Sequence, residues 1–379
     1  IIDWVIQSMY IDSGIQRRAP LCLLGPFIRT LLAYAVDDGI RANSASGGVA
    51  TALLKYLLES NIVDAVLLPR LVVKGGFVYG VWTIVADPSD VSRYSGSVYA
   101  PTFGLGKILD YALKRFRRIA VTALPCHARA IKSISGLQGR SDDVFIIGLY
   151  CNNTPSIWAT RYALKCFGIR VEDVEWIRFR GYEWPGYTAI KLKDKIVRIP
   201  SPAFWGSGFG QYFYGLGCYL CTDQTNVFAD ISLADPWTLP HEPVKRLGGA
   251  TLVVVRSRKG LEVLEDAVRA GYVEAVEVDP IYTVQDATLL KLSRRVLKRS
   301  RGEYVLPPGF TTIAHEVLYS VGGFLARREG LWPLLKLFHK VVAPRVYFLA
   351  SLLDHKLAKT RWGSIHEGIT RIQLSLIHI

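Results

Sequence analysis

The part of this chain that most restricts its fold is a pair of matching units between residues 117 and 167. "RRIAVTAL" (117–124) reads as a strand, and "PCHARAIKSI" directly after it opens a helix. "DVFIIGLY" (143–150) reads as a second strand that ends at Cys151, and "NNTPSIWATRYALKCF" supplies a second helix. Strands that alternate with helices pack as a parallel sheet with helices on its faces. Such sheets bind ligands beyond the carboxyl ends of their strands. Cys126 and Cys151 each stand at such an end. Cysteine is a common core residue, but cores rarely place it just past a strand in two successive units.

The flanking sequence extends the pattern. "LLAYAV" (31–36) reads as a buried strand, and "ANSASGGVATALLKYLLESN" (42–61) as a helix capped by Ser44 or Ser46, with Gly47 and Gly48 in its first turn. Residues 62–73 and 77–86 read as strand, turn, strand around "KGG". A loop with "SGSVYAPT" (95–102) leads to a helix near 104–116. After about residue 171 the pattern becomes antiparallel β (174–199), then strand and helix again over 248–271. From 311 onward it is helical. The expected class is therefore α/β: an N-terminal parallel-sheet part (1–105), a central α+β part with a CxxC loop (106–290), and a basic helical extension (291–379).

Composition bounds the function. Half of the 379 residues are apolar and about a fifth are charged, which describes a globular protein. The chain opens on Ile1 and reads as a fragment. Six irregularly spaced cysteines do not form a secreted disulfide framework, so a reducing, cytoplasmic setting is expected. The longest uncharged run, 201–222, holds Pro202 and five glycines, which suits an aromatic-rich loop better than a membrane helix. No transmembrane span is expected, although the amphipathic segment 331–353 leaves peripheral contact with a membrane open. The formal charge is +14, and residues 291–379, with 15 Lys/Arg against 5 Asp/Glu, carry most of it. The basic run "KLSRRVLKRSR" (291–301) suits a solvated helix face or an acidic partner. Without interleaved aromatics it does not suit nucleic acid.

The chemistry gathers around "GCYLCTDQTNVFADISLADPW" (217–237). Cys218 and Cys221 can face one metal across a single turn, and Cys126 and Cys151 bring the thiols to four. Four thiolates can hold zinc or a [4Fe–4S] cluster, and a CxxC pair can also work as a redox disulfide. Cys22 and Cys166 read as ordinary buried thiols. The glycine-rich helix start offers a second site. Backbone N–H groups at Gly47 and Gly48, with the hydroxyls of Ser44, Ser46 and Thr51, suit a phosphate group. His127, beside the first cysteine, could cap its helix or donate a proton.

Seven segments, in order over about 31–256, carry a resemblance: "SASGGVATALLKYLLE", "SGSVYAPT", "LPCHARAIK", "IIGLYC", "IRFRGYEWPG", "GCYLCTDQTNVFADISLADPW" and "GGATLVVVR". In these the chain resembles the β subunits of coenzyme F420-reducing hydrogenases and F420-linked formate dehydrogenases, a family that also includes chlorophyll-type reductases. The resemblance implies an oxidoreductase that binds FAD next to one [4Fe–4S] cluster, with coenzyme F420 as substrate. It implies cluster ligands at Cys126, Cys151, Cys218 and Cys221. It places Ser46, Gly47, Gly48 and Thr51 at the flavin nucleotide, with Ser97 and Tyr99 as further pocket residues. The expected partner is a redox subunit or a ferredoxin. A ferredoxin-dependent reductase of another substrate and a non-catalytic electron relay are the alternatives.

Overall fold

The structure, a computed structural model, describes residues 24–219, 221–285, 317–318, 321–343, 345–346 and 349. Apolar side chains alternate between two buried faces along its central strands, and this alternation builds the fold. The chain runs through β1 (Arg29–Ala35), β2 (Ala65–Lys74), β3 (Phe77–Val85), β4 (Thr102–Phe103), β5 (Ile119–Ala123) and β6 (Val144–Leu149). A separate three-stranded antiparallel sheet follows, made of β7 (Val174–Arg178), β8 (Tyr187–Leu192) and β9 (Ile196–Pro200). The main sheet is completed by β10 (Ile231–Ala234), β11 (Thr251–Val255) and β12 (Val273–Glu277). Its order is β12-β1-β11-β10-β6-β5-β2-β3-β4.

The odd residues of β1 and β6 (Leu31, Ala33, Phe145, Ile147) face one core, together with Val66, Ala120 and Ile231. There they meet helices α1 (Asp38–Ala42) and α2 (Val49–Glu59). Ala65, Leu67, Ile119, Val121, Val144 and Ile146 face the opposite core, against α3 (Leu105–Arg115) and α4 (Pro125–Leu137). Strands apolar on both faces are the mark of a sheet covered on both sides. The small sheet packs instead with α5 (Ile157–Cys166), with the aromatics of 204–213 and with Trp332 and Leu335. No helix among the described residues is long and apolar enough to cross a membrane.

The α/β class is as expected, and the strand pairing refines it. The parallel core β10-β6-β5-β2 draws on residues 65–234 and is not confined to the N-terminal part. β1 lies between β11 and β12, antiparallel to both. β2 and β3 form a hairpin whose turn residues Gly75 and Gly76 have φ of 60° and 76°, the left-handed pair that a tight hairpin needs. The 201–222 run is not a span: Phe204, Phe209 and Phe213 lie buried in the small sheet's core. In the C-terminal region a helix forms at Trp332–Leu337, whereas the basic run 291–301 lies outside the described residues.

The helix expected over 42–61 is broken, and the reason is packing. Gly47 lies so close to its neighbours that a Cβ there would stand 2.8 Å from Ala250 Cα and from Ala33 O. Gly48, at φ 77°, starts α2 as a left-handed cap. Across the gap, a Cβ on Gly249 would stand 2.6 Å from Ser46 O. Two glycine turns, about 200 residues apart, therefore interlock. We expect Gly47→Ala to cost about 1–3 kcal/mol, because backbone cannot yield as a side chain can. Gly106→Ala, where a Cβ meets nothing within 4 Å, should be neutral or stabilising. Urea unfolding reads both, and a Gly47→Ala cost below about 0.5 kcal/mol would refute the interlock.

Candidate functional site

Cys126 and Cys151 lie just past the carboxyl ends of β5 and β6, at one edge of the parallel core. Cys126 is the second residue of α4, exposed, two residues beyond the N-cap Leu124. Its thiol is pushed up by the surrounding chain and, after that, by Cys218 and Cys221, which puts these three sulfurs in one electrostatic neighbourhood. The loop after β6 is laced to the loop ahead of the CxxC. Asn153 Nδ2 donates to Gly210 O at 2.8 Å, Pro155 bridges Tyr214, and the Thr154 N–H donates to Cys218 Sγ at 3.4 Å. A single turn closes between the CxxC cysteines, with Cys221 N–H on Cys218 O at 3.2 Å. The Cys151 N–H donates to Gln224 O at 3.0 Å. Among the described residues, no three His, Cys, Asp or Glu side chains are grouped so that they could hold one metal ion. Cys166 lies half-buried at the end of α5, against Tyr162, and Cys22 lies outside the described residues.

His127 does not cap α4, which has no side-chain cap at all. Its imidazole packs edge-on against Trp82, 5.6 Å between ring centres, and burial pushes its pKa down.

The three acids after the CxxC prove to be structural. Asp223 accepts the N–H groups of Asn226 (2.9 Å) and Val227 (3.2 Å), closing a turn. Asp230 is buried and accepts from the Ile146 N–H and the Ser257 hydroxyl, joining β6 to the start of α6 (Arg258–Arg269). Asp235, just past β10, pairs with Arg180.

Arg180 ties in the remaining predicted residues. Its guanidinium is almost wholly buried and bonds Asp235, Ala45 O (2.5 Å), Pro185 O (3.2 Å) and Tyr99 Oη (3.3 Å). It also lies over the rings of Trp184 and Trp237, 5.1 and 5.3 Å from their centres. Burial alone would lower its pKa, but Asp235 and Tyr99 outweigh that and the net shift is upward. Tyr99 thus belongs to this group, held further by Trp205 at 4.6 Å. Ser97 lies half-exposed in the same loop. Of the SGG turn, the Gly47 N–H is occupied by Thr251 Oγ1 at 3.0 Å, and the Ser46 hydroxyl by Ala250 O. Both were expected to be open donors, and the interlock with the 248–250 turn uses them instead. Thr51 is buried in the first turn of α2. Arg180 is the residue that sequence reasoning missed, and only its place in "IRFRGYEWPG" marked it.

Removing one partner of a buried ion pair leaves the other uncompensated. Arg180→Gln is therefore expected to cost about 3–5 kcal/mol in denaturant unfolding. Arg180→Gln and Asp235→Asn together should cost less than the sum of the two. Additivity within about 0.5 kcal/mol would refute the coupling.

Residues 30–110 match the family described as coenzyme F420 hydrogenase/dehydrogenase, beta subunit N-term, and residues 116–281 match the corresponding C terminus. The F420-dependent formate dehydrogenase subunit beta of Methanocaldococcus jannaschii is 30% identical over 258 residues, covering 65% of this chain. The chain spans 61% of that subunit's length. The coenzyme F420 hydrogenase subunit beta of Methanothermobacter thermautotrophicus is 23% identical, covering 68% of this chain and 88% of its own. In fold, the chain resembles a solved chain of the F420-reducing [NiFe] hydrogenase complex from Methanosarcina barkeri, with a TM-score of 0.57 at 18% identity, covering 76% of this chain and 95% of that one. With both halves matched in order across most of its length, the chain belongs to the coenzyme F420 hydrogenase/dehydrogenase β-subunit family.

Proposed function

We propose that this chain is an F420-linked oxidoreductase subunit that carries FAD and a [4Fe–4S] cluster and exchanges electrons with a partner redox protein. The observation that supports the reading is the placing of Cys126 and Cys151 past two neighbouring parallel strands, with the loop after Cys151 bonded to Cys218 Sγ through the Thr154 N–H and the Cys151 N–H bonded to Gln224 O beyond the CxxC. Thiolates are the ligands of such clusters, so the donor chemistry fits. Cys126, Cys151, Cys218 and Cys221 would hold the cluster. Gly48, Thr51, Ser97 and Tyr99, with the SGG turn that Ser46 and Gly47 shape, would hold the flavin.

The family membership, with relatives named as F420-dependent enzymes, supports F420 as the hydride donor or acceptor. A bound flavin lets a hydride carrier meet one-electron carriers. The chain's own residues have three tasks in this scheme. Arg180, paired with Asp235, fixes the Ala45, Tyr99 and Pro185 segments under the edge. The first turn of α2 presents the N–H groups of Val49 and Ala50, which have no carbonyl ahead of them within the helix, and suits a phosphate. Ser46 and Gly47 shape that turn, and Thr51 fills the space behind it.

Anaerobically prepared protein should contain flavin, iron and acid-labile sulfide, and reduced F420 should bleach the flavin. Ser in place of Cys126, Cys151, Cys218 or Cys221 should lower iron and sulfide together, whereas Cys166→Ser should not. Stoichiometric zinc without sulfide would overturn the cluster. A flavin bleached by reduced ferredoxin but untouched by reduced F420 would overturn the substrate.

A further inference from the structure

Asn226 holds a position that nothing in its local sequence advertises. It is fully buried, at a left-handed φ of 62°, five residues after Cys221. Its Nδ2 donates to Ala123 O at 2.7 Å and, over a longer 3.4 Å, to Leu149 O. Those carbonyls end β5 and β6, three residues before Cys126 and two before Cys151. Its own N–H is fixed by Asp223, and its carbonyl accepts from Ser232 Oγ at 3.0 Å. One amide therefore touches both strand ends that lead to the cysteines, from within the loop that follows the CxxC.

Gly148 shows how closely this amide is fitted. A Cβ at that position would stand 2.6 Å from Asn226 Cγ and 2.7 Å from Nδ2. The glycine in "IIGLYC" is thus the space in which the amide sits. Asn226 Oδ1 is buried with no hydrogen-bond partner. A buried polar atom left unsatisfied is costly. Nδ2, the end bonded to both strands, is the working end of the side chain.

We infer that Asn226 is the positioning residue that sets the spacing between the turns bearing Cys126 and Cys151 and registers both against the Cys218–Cys221 loop. The inference rests on the reading that these thiols share one bound group, and it adds the residue that assembles them. Alanine would confuse the test, because φ 62° strains it. Asn226→Gly keeps the backbone and removes only the amide. Asn226→Asp keeps the outline and turns the donor into an acceptor facing two carbonyls. Gly148→Ala displaces the amide from the opposite side.

The first measurement needs no cluster. In a chain whose other cysteines are serine, a short bifunctional thiol reagent such as dibromobimane bridges Cys126 and Cys151. All three variants, with native circular dichroism, should bridge at least about five-fold more slowly. The second measurement uses the full chain, anaerobically loaded with iron and sulfide. The variants should lose the cluster at least about five-fold faster, with shifted EPR g-values and midpoint potential, which loss of general stability alone would not move. Slower bridging in a chain that never takes up iron and sulfide would uphold the staple and refute the cluster. Native bridging rates in folded Asn226→Gly and Gly148→Ala would overturn the inference. If Asn226→Gly fails to fold, Asn226→Asp decides, because a Cβ at Gly148 would also stand 2.6 Å from Ala229 Cβ.

Discussion

The joint between the two sheets depends on one buried charge. A guanidinium taken out of water must find a counter-charge and acceptors for its donors, or the fold does not tolerate it. Arg180 finds both by collecting parts of the chain that are remote in sequence: the Ala45 carbonyl, Tyr99, Pro185 in its own loop, and Asp235 past β10. The guanidinium is planar and its donors have fixed directions, so these segments cannot shift independently. Trp184 and Trp237 lie against its faces. The small antiparallel sheet, whose β7 leads directly into Arg180, is thereby referenced to the edge of the large one.

The loop that follows the CxxC shows the same economy. Read as letters, "CTDQTNVFADISLAD" looks rich in hard oxygen ligands. In three dimensions its carboxylates are engaged in holding backbone: Asp223 closes the turn at Asn226, and Asp230 fastens β6 to the first turn of α6. Arg256 adds the carbonyls of Leu24 (2.9 Å) and Thr225 (2.6 Å), and Gln285 reaches Asp235 O at 2.7 Å. These oxygens hold backbone, and the cluster proposed above would draw on sulfur donors instead.

Much of this was legible in the chain. Continuous apolar runs such as "IAVTA" and "VFIIGL" predicted strands covered on both faces, and the helices after them followed from apolar spacing and turn residues. The position of Cys126 and Cys151 at strand ends was legible for the same reason, since each lies within a few residues of the element that carries it. The CxxC pair was equally local. By contrast, Ser46 and Gly47 look like an open phosphate turn until the 248–250 turn is seen to occupy them. His127 looks like a cap until Trp82 is seen beside it.

What the sequence determined by itself was the kind of each element, its buried face, and the cysteines it delivers to an edge, because periodicity and turn chemistry are properties of neighbouring residues. What only the tertiary structure decided was partnership. β1 pairs with β11 and β12 across more than 200 residues, Arg180 with Asp235, and Asn226 with the ends of β5 and β6. Those choices depend on which buried polar groups can satisfy one another and where glycine leaves room for close approach. Both conditions exist only once distant segments are packed together.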